Sequence, residues 1–210
     1  MTNWEAIVED LRTRAQAMHE AREGALVETR KLIQLSSKSI RAVHRHEFAD
    51  AVRLLEQAQE TCRRARALVA PFPEMNPAYL HDSEKEMVEA AAVLAIVQDQ
   101  PFPTSDELGV HVMSYLNGMG EAASEVRRFA LDQMRAGHLA DAERILAKME
   151  AIYEELITFD FPDSLTGGLR RTCDALRAVI ERTRSDLTAT VSQQALVKAL
   201  EATREQLSGR

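Results

Sequence analysis

The stretch with the most chemical content is Glu86-Met-Val-Glu89-Ala-Ala-Ala-Val-Leu-Ala-Ile-Val97. From Met87 to Val97 the only polar side chain is Glu89. A helix that is apolar on every side is a buried one, and a lone carboxylate within it is costly unless something compensates its charge. An arginine, a proton or a metal cation can do so. Glu86 stands three residues earlier, so both carboxylates project from one face of the helix. Two readings follow: a buried Glu–Arg ion pair, or half of a metal site.

Glu121 and Glu125 form a second stacked pair, four residues apart. By itself such a pair reads as a solvated helix face, since it lies opposite the apolar stripe of its own segment. Two pairs from two helices could instead converge on one cation. Oxygen-only ligands suit Mg2+, with Mn2+ as the alternative, and either ion can polarise a phosphoryl oxygen and activate water. A bridged di-iron centre would need Glu-x-x-His pairs, and no Glu here is followed three residues later by His.

Basic residues gather between positions 28 and 66, nine Lys and Arg against five acids. That window carries +4 in a chain of formal charge −7, so the remainder carries −11. Lys38, Arg41, His44 and Arg45 can present several donors near one helix end, suited to nucleic-acid phosphates. Basic residues complementing the dipole at a helix C-terminus are the plainer alternative. Arg170, Arg171, Arg177, Arg182 and Arg184 form a second basic group. A Gly-rich phosphate loop, a nucleophile elbow, His-Glu-x-x-His and Cys-x-x-Cys are all missing. Cys62 and Cys173 fall at apolar helical positions and read as core.

The elements that must position these groups are helices. Eight Gly and six Pro in 210 residues are few, and the abundance of Ala, Leu, Glu and Arg favours helix over a sandwich or barrel. Prolines cluster at 71–77, at 101–103 and at 162, and they divide the chain into long helical blocks. The expected helices cover 4–45 with an interruption near Gly24, then 47–69, then 82 or 83 to 97. A fourth, capped by Thr104 or Ser105, runs to 136; a fifth covers 139–159; a sixth runs from 163 or 164 to at least 187. Residues 191–207 either continue the sixth helix or fold back. No strand pattern or fixed-period repeat emerges, so the expected architecture is one all-α domain over 1–210, about seven long antiparallel helices without a β-sheet. No apolar run reaches the roughly 18 residues that a membrane span needs. The acidic first ten residues do not resemble a signal peptide, which leads to the expectation of a cytoplasmic protein.

Several strings, taken in order, resemble the translin family, specifically its translin-associated factor X branch. They are Arg30-Lys31-Leu-Ile-Gln-Leu-Ser-Ser-Lys38-Ser-Ile-Arg41-Ala-Val-His44-Arg45, Glu86-Met-Val-Glu89-Ala, and Tyr115-Leu-Asn-Gly118-Met-Gly-Glu121-Ala-Ala-Ser-Glu125-Val. Met149-Glu-Ala-Ile-Tyr153-Glu-Glu-Leu and Arg177-Ala-Val-Ile-Glu181-Arg-Thr-Arg add to them, and the similarity spans about 24–188. The resemblance implies a seven-helix fold and a hollow homo-octameric barrel, with a paralogous translin subunit as a further partner. It also implies binding of single-stranded RNA, or of single-stranded DNA. In the factor X branch it implies Mg2+-dependent endoribonuclease activity, whose acids fall here on Glu86, Glu89, Glu121 and Glu125. Glu121 stands where the family pattern has Asp. The side chain is one methylene longer, and a ligand shift of about 1 Å can cost about 10²-fold in rate. A nucleic-acid-binding shell without catalysis is the alternative.

Overall fold

The computed structural model describes residues 2–73, 75 and 78–208. Among them every regular element is helical: α1 (Asn3–His44), α2 (Phe48–Val69), α3 (Ala78–Gln98), α4 (Ser105–Leu108), α5 (Val112–Glu125), α6 (Arg127–Ala136), α7 (Leu139–Leu156), α8 (Asp163–Thr166) and α9 (Leu169–Ser208). Seven are long, and α4 and α8 are single turns, so the all-α expectation holds. The residues group into two compact units, 1–119 and 120–210. No helix among the described residues is long and apolar enough to cross a membrane.

Several boundaries differ from those expected. α1 passes through Gly24 without interruption. α3 begins at Ala78, four residues before the Asp82 and Ser83 expected to cap it. The fourth expected helix is divided. Thr104 closes a capping box with Glu107, but Gly109 takes the left-handed conformation (φ +65°) and ends α4 after one turn. Val126 separates α5 from α6, although backbone bonds continue on both sides of it, Val126 to Ala122 and Ala130 to Val126. Residues 191–208 continue α9 and do not fold back.

In the first unit α1 and α2 form an antiparallel pair. Ser39 Oγ donates to the Ala51 carbonyl at 2.9 Å, Arg64 meets Glu28 at 3.1 Å, and Gly24 lies against Leu68. α3 packs on both helices and contributes Met87, Val88, Val93 and Ile96 to a core with Leu32 and Val43. α5 is held to α3 by His81 Nδ1 and Ser114 Oγ, 3.0 Å apart, and by close backbone approach at Gly118.

In the second unit α6, α7 and α9 enclose Ile145, Met149, Leu176 and Ile180. Arg127 ties α6 to α9 through Asp186 at 2.8 Å and Thr183 at 3.0 Å. Arg184 ties α9 to α7 through Glu150 at 2.7 Å.

Cys62 and Cys173 are core residues, as expected. Burial, reinforced by the Glu84 charge, pushes the Cys62 thiol up to about 12, and burial also raises Cys173. Since only the thiolate is nucleophilic, at pH 8 roughly one Cys62 thiol in 10⁴ is reactive, against roughly a quarter of ordinary thiols. Neither cysteine should be alkylated by iodoacetamide in the native protein at pH 8, and both should be in denaturant. Rapid native labelling read by mass spectrometry would contradict this placement.

Candidate functional site

Glu86 and Glu89 share one face of α3, three residues apart, and both are half-buried. Glu89 is the only residue between 87 and 97 that is not fully buried. The greasy segment is therefore enclosed as expected, but its carboxylate emerges at the one edge that stays accessible. Compensation by water relieves part of the demand for a counter-charge.

An ion pair of the kind weighed for Glu89 is formed by Glu84. This carboxylate is 2% exposed. Its Oε1 accepts from Arg66 Nη1 at 2.8 Å, and its Oε2 accepts from the His111 backbone N–H at 2.9 Å. Arg66 Nη1 also donates to the Gly109 carbonyl at 2.6 Å. Glu84 thus fastens the end of α2 and the α4–α5 turn to α3. Sequence reasoning missed it because a helix starting at Asp82 or Ser83 puts Glu84 in an exposed first turn. The available signal was Pro77, a residue tolerated at helix starts, which allows α3 to begin a turn earlier.

Glu121 and Glu125 lie one turn apart on α5 and are half-buried, less exposed than the solvated face that their spacing alone suggested. Gly118 precedes them on the same side of the helix. Among the described residues no group of three or more His, Cys, Asp or Glu forms a metal cage. Mg2+ does not require one: it keeps several waters and is held by one or two carboxylates. Each half-buried, oxygen-only pair fits that description.

Lys38, Arg41 and Arg45 are exposed and lie on one stripe of α1. Lys31, two turns before Lys38, extends the stripe to about 21 Å. His44, three residues after Arg41, is half-buried and presents less of its side chain to solvent than the other three. Arg41 Nη1 donates to Ser37 Oγ at 3.1 Å. Arg45 is gripped by Glu47 through Nε at 2.9 Å and Nη2 at 2.6 Å. That contact raises the Arg45 pKa and lowers that of Glu47, and it offsets the charge Arg45 would offer a phosphate. Among the described residues Lys31 and Lys38 make no ion pair, which leaves them the stronger phosphate donors. In the second basic group Arg184 is committed to Glu150 and Glu181, while Arg170 and Arg171 are exposed. A cleft of about 480 Å³ near Phe159 and Phe161 is lined by Asp160, Asp163 and Asp174 against the single Arg170, and that charge disfavours a phosphate backbone.

No protein-family model matches the chain. The uncharacterized protein MJ0175 of Methanocaldococcus jannaschii is 31% identical over 168 residues, covering 79% of this chain and 74% of that protein. Two structures of AfC3PO, one in complex with duplex RNA, are 35% identical with a TM-score of 0.84, covering 90% of this chain and 98% of theirs. The chain belongs to the translin family. An NeC3PO structure without ligand, 20% identical with a TM-score of 0.78, shares the translin fold over 87% of this chain.

Proposed function

We propose that this translin-family protein is a cytoplasmic RNA-binding oligomer, eight copies in the pattern of the family, that cleaves single-stranded RNA with Mg2+. The similarity to AfC3PO over nearly its whole length carries the reading, because that protein has been captured with RNA. Glu86 with Glu89 on α3, or Glu121 with Glu125 on α5, would hold the ion as a pair, and Mn2+ could replace it. Support comes from each pair sharing one face of its helix and from α5 being pressed against α3 at Gly118. When bound, the metal supplies charge neutralisation at the scissile phosphate and lowers the pKa of a water. A carboxylate left free of the ion would orient an attacking water and accept its proton. Lys31, Lys38 and Arg41 retain the RNA backbone, with Arg45 contributing less because of Glu47. The presence of Glu121 in place of Asp favours a second reading, a shell that binds RNA, or single-stranded DNA, without cutting it.

The test is cleavage and retention of single-stranded and duplex RNA, with Mg2+, by the wild type, Glu89→Gln and Lys38→Ala/Arg41→Ala. Glu89→Gln should lose about 10²-fold in cleavage with RNA retention unchanged. The double variant should weaken retention and reduce the salt slope by roughly two contacts' worth. Equal cleavage by wild type and Glu89→Gln removes the acids from the site. Retention without metal-dependent products by the wild type selects the non-catalytic shell. Retention unchanged in the double variant removes the α1 stripe.

A further inference from the structure

Residues 3–20 of α1 extend beyond the packed part of the first unit. All are exposed except Val8 and Met18, which are half-buried. This arm is about 27 Å long and begins with a closed capping box, Thr2 with Glu5. It displays Trp4 at 68% and Leu11 at 52% exposure, an apolar load unusual for a solvated helix. Trp4, Val8, Leu11, Ala15 and Met18 follow one another at steps of four, three, four and three. That is the seam of a helix packed against another helix.

The charges beside the seam specify the second helix. Between 2 and 10 the charged residues are Glu5, Glu9 and Asp10; between 11 and 18 they are Arg12 and Arg14. Two copies laid parallel would set acids against acids. Laid antiparallel, the acidic half of each copy meets the basic half of the other. One antiparallel register places the bulky Trp4 opposite the small Ala15 and Val8 opposite Leu11, and it brings Glu5 to Arg12 on the flank. Glu5 uses Oε2 on the Thr2 N–H, and Arg12 uses Nη1 on Glu9. The second carboxylate oxygen and the remaining guanidinium donors stay available.

We propose that the arm is an interface whose occupant is the same arm of a second copy, docked antiparallel in this register. The proposal rests on the oligomeric reading above, since a seam of fifteen residues, Trp4 to Met18, is too short to hold two chains unaided and works between copies that other contacts gather.

The test is oxidative cross-linking of co-expressed full-length variants, with the native mass measured by light scattering. Chains carrying Trp4→Cys mixed with chains carrying Ala15→Cys should give a disulfide-linked dimer. Either variant alone should give about tenfold less, because like positions lie too far apart to bridge. Val8→Cys mixed with Leu11→Cys keeps Trp4 in place and should cross-link as well. Adding Leu11→Glu to the first mixture should suppress the product about tenfold. The buried Cys62 and Cys173 stay silent. Equal cross-linking by the single variants overturns the antiparallel register. No cross-link in either mixture, with an oligomeric native mass, overturns the arm interface and leaves the oligomeric reading standing. A monomeric mass overturns both.

Discussion

Replacing Glu84 by alanine should lower the stability of the first unit by about 3 kcal/mol, the low end for breaking a buried ion pair. The carboxylate is 2% exposed and satisfies two donors from different elements, Arg66 and the His111 N–H. Its removal leaves the His111 N–H, on an exposed residue and in a part-buried bond, without its acceptor, and water can replace part of the about 1–3 kcal/mol that an unsatisfied donor costs. It also leaves the Arg66 charge without its partner. Arg66 is 41% exposed and can turn to water, which limits the loss. For a chain of this length the thermal midpoint should fall by roughly 10 °C. Glu84→Gln keeps an acceptor for His111 and should cost about half as much. A midpoint for the alanine variant within 1 °C of wild type, measured by calorimetry, would show that the pair contributes nothing.

The second large effect is expected at Gly118. A Cβ there would stand 2.6 Å from Val88 Cβ and 2.7 Å from the Lys85 carbonyl oxygen, both in α3. A carbonyl within a helix cannot swing aside as a side-chain tip can, so α5 and α3 must part by about 1 Å. Gly118→Ala should therefore cost about 1–2 kcal/mol, overpacking outweighing the helix propensity gained. If α3 and α5 carry the catalytic acids, the same displacement should reduce RNA cleavage by about 10²-fold. Gly120→Ala is a comparison without a backbone clash, because its new Cβ meets side-chain atoms, Thr172 Cγ2 at 2.6 Å and Leu156 Cδ1 at 3.2 Å. Cleavage and stability unchanged in Gly118→Ala would mean that the close approach constrains nothing.

The helices were legible because proline placement, apolar periodicity and the lack of strand patterns are local properties of the chain. Cys62 and Cys173 were legible as core for the same reason. The division at Gly109 was not, because its left-handed turn interrupts a segment whose apolar stripe runs on across it. The basic residues of α1 were legible by spacing alone: Lys38, Arg41 and Arg45 are exposed on one face, whereas the half-burial of His44 and the hold of Glu47 on Arg45 were not legible. A list of cations does not reveal which of them a neighbouring acid already holds.

The sequence alone determined that the chain is helical throughout, that 87–97 is enclosed, and that Glu86 with Glu89 and Glu121 with Glu125 share helix faces. These follow from residue type and a repeat of 3.6. The tertiary structure decided which carboxylate is sealed from water. Periodicity assigns a side chain to a face of its helix, whereas burial depends on what packs against that face. Glu84 is covered because Arg66 and the backbone at His111 arrive from distant parts of the chain, and Glu89 keeps contact with solvent because the cover stops short of it.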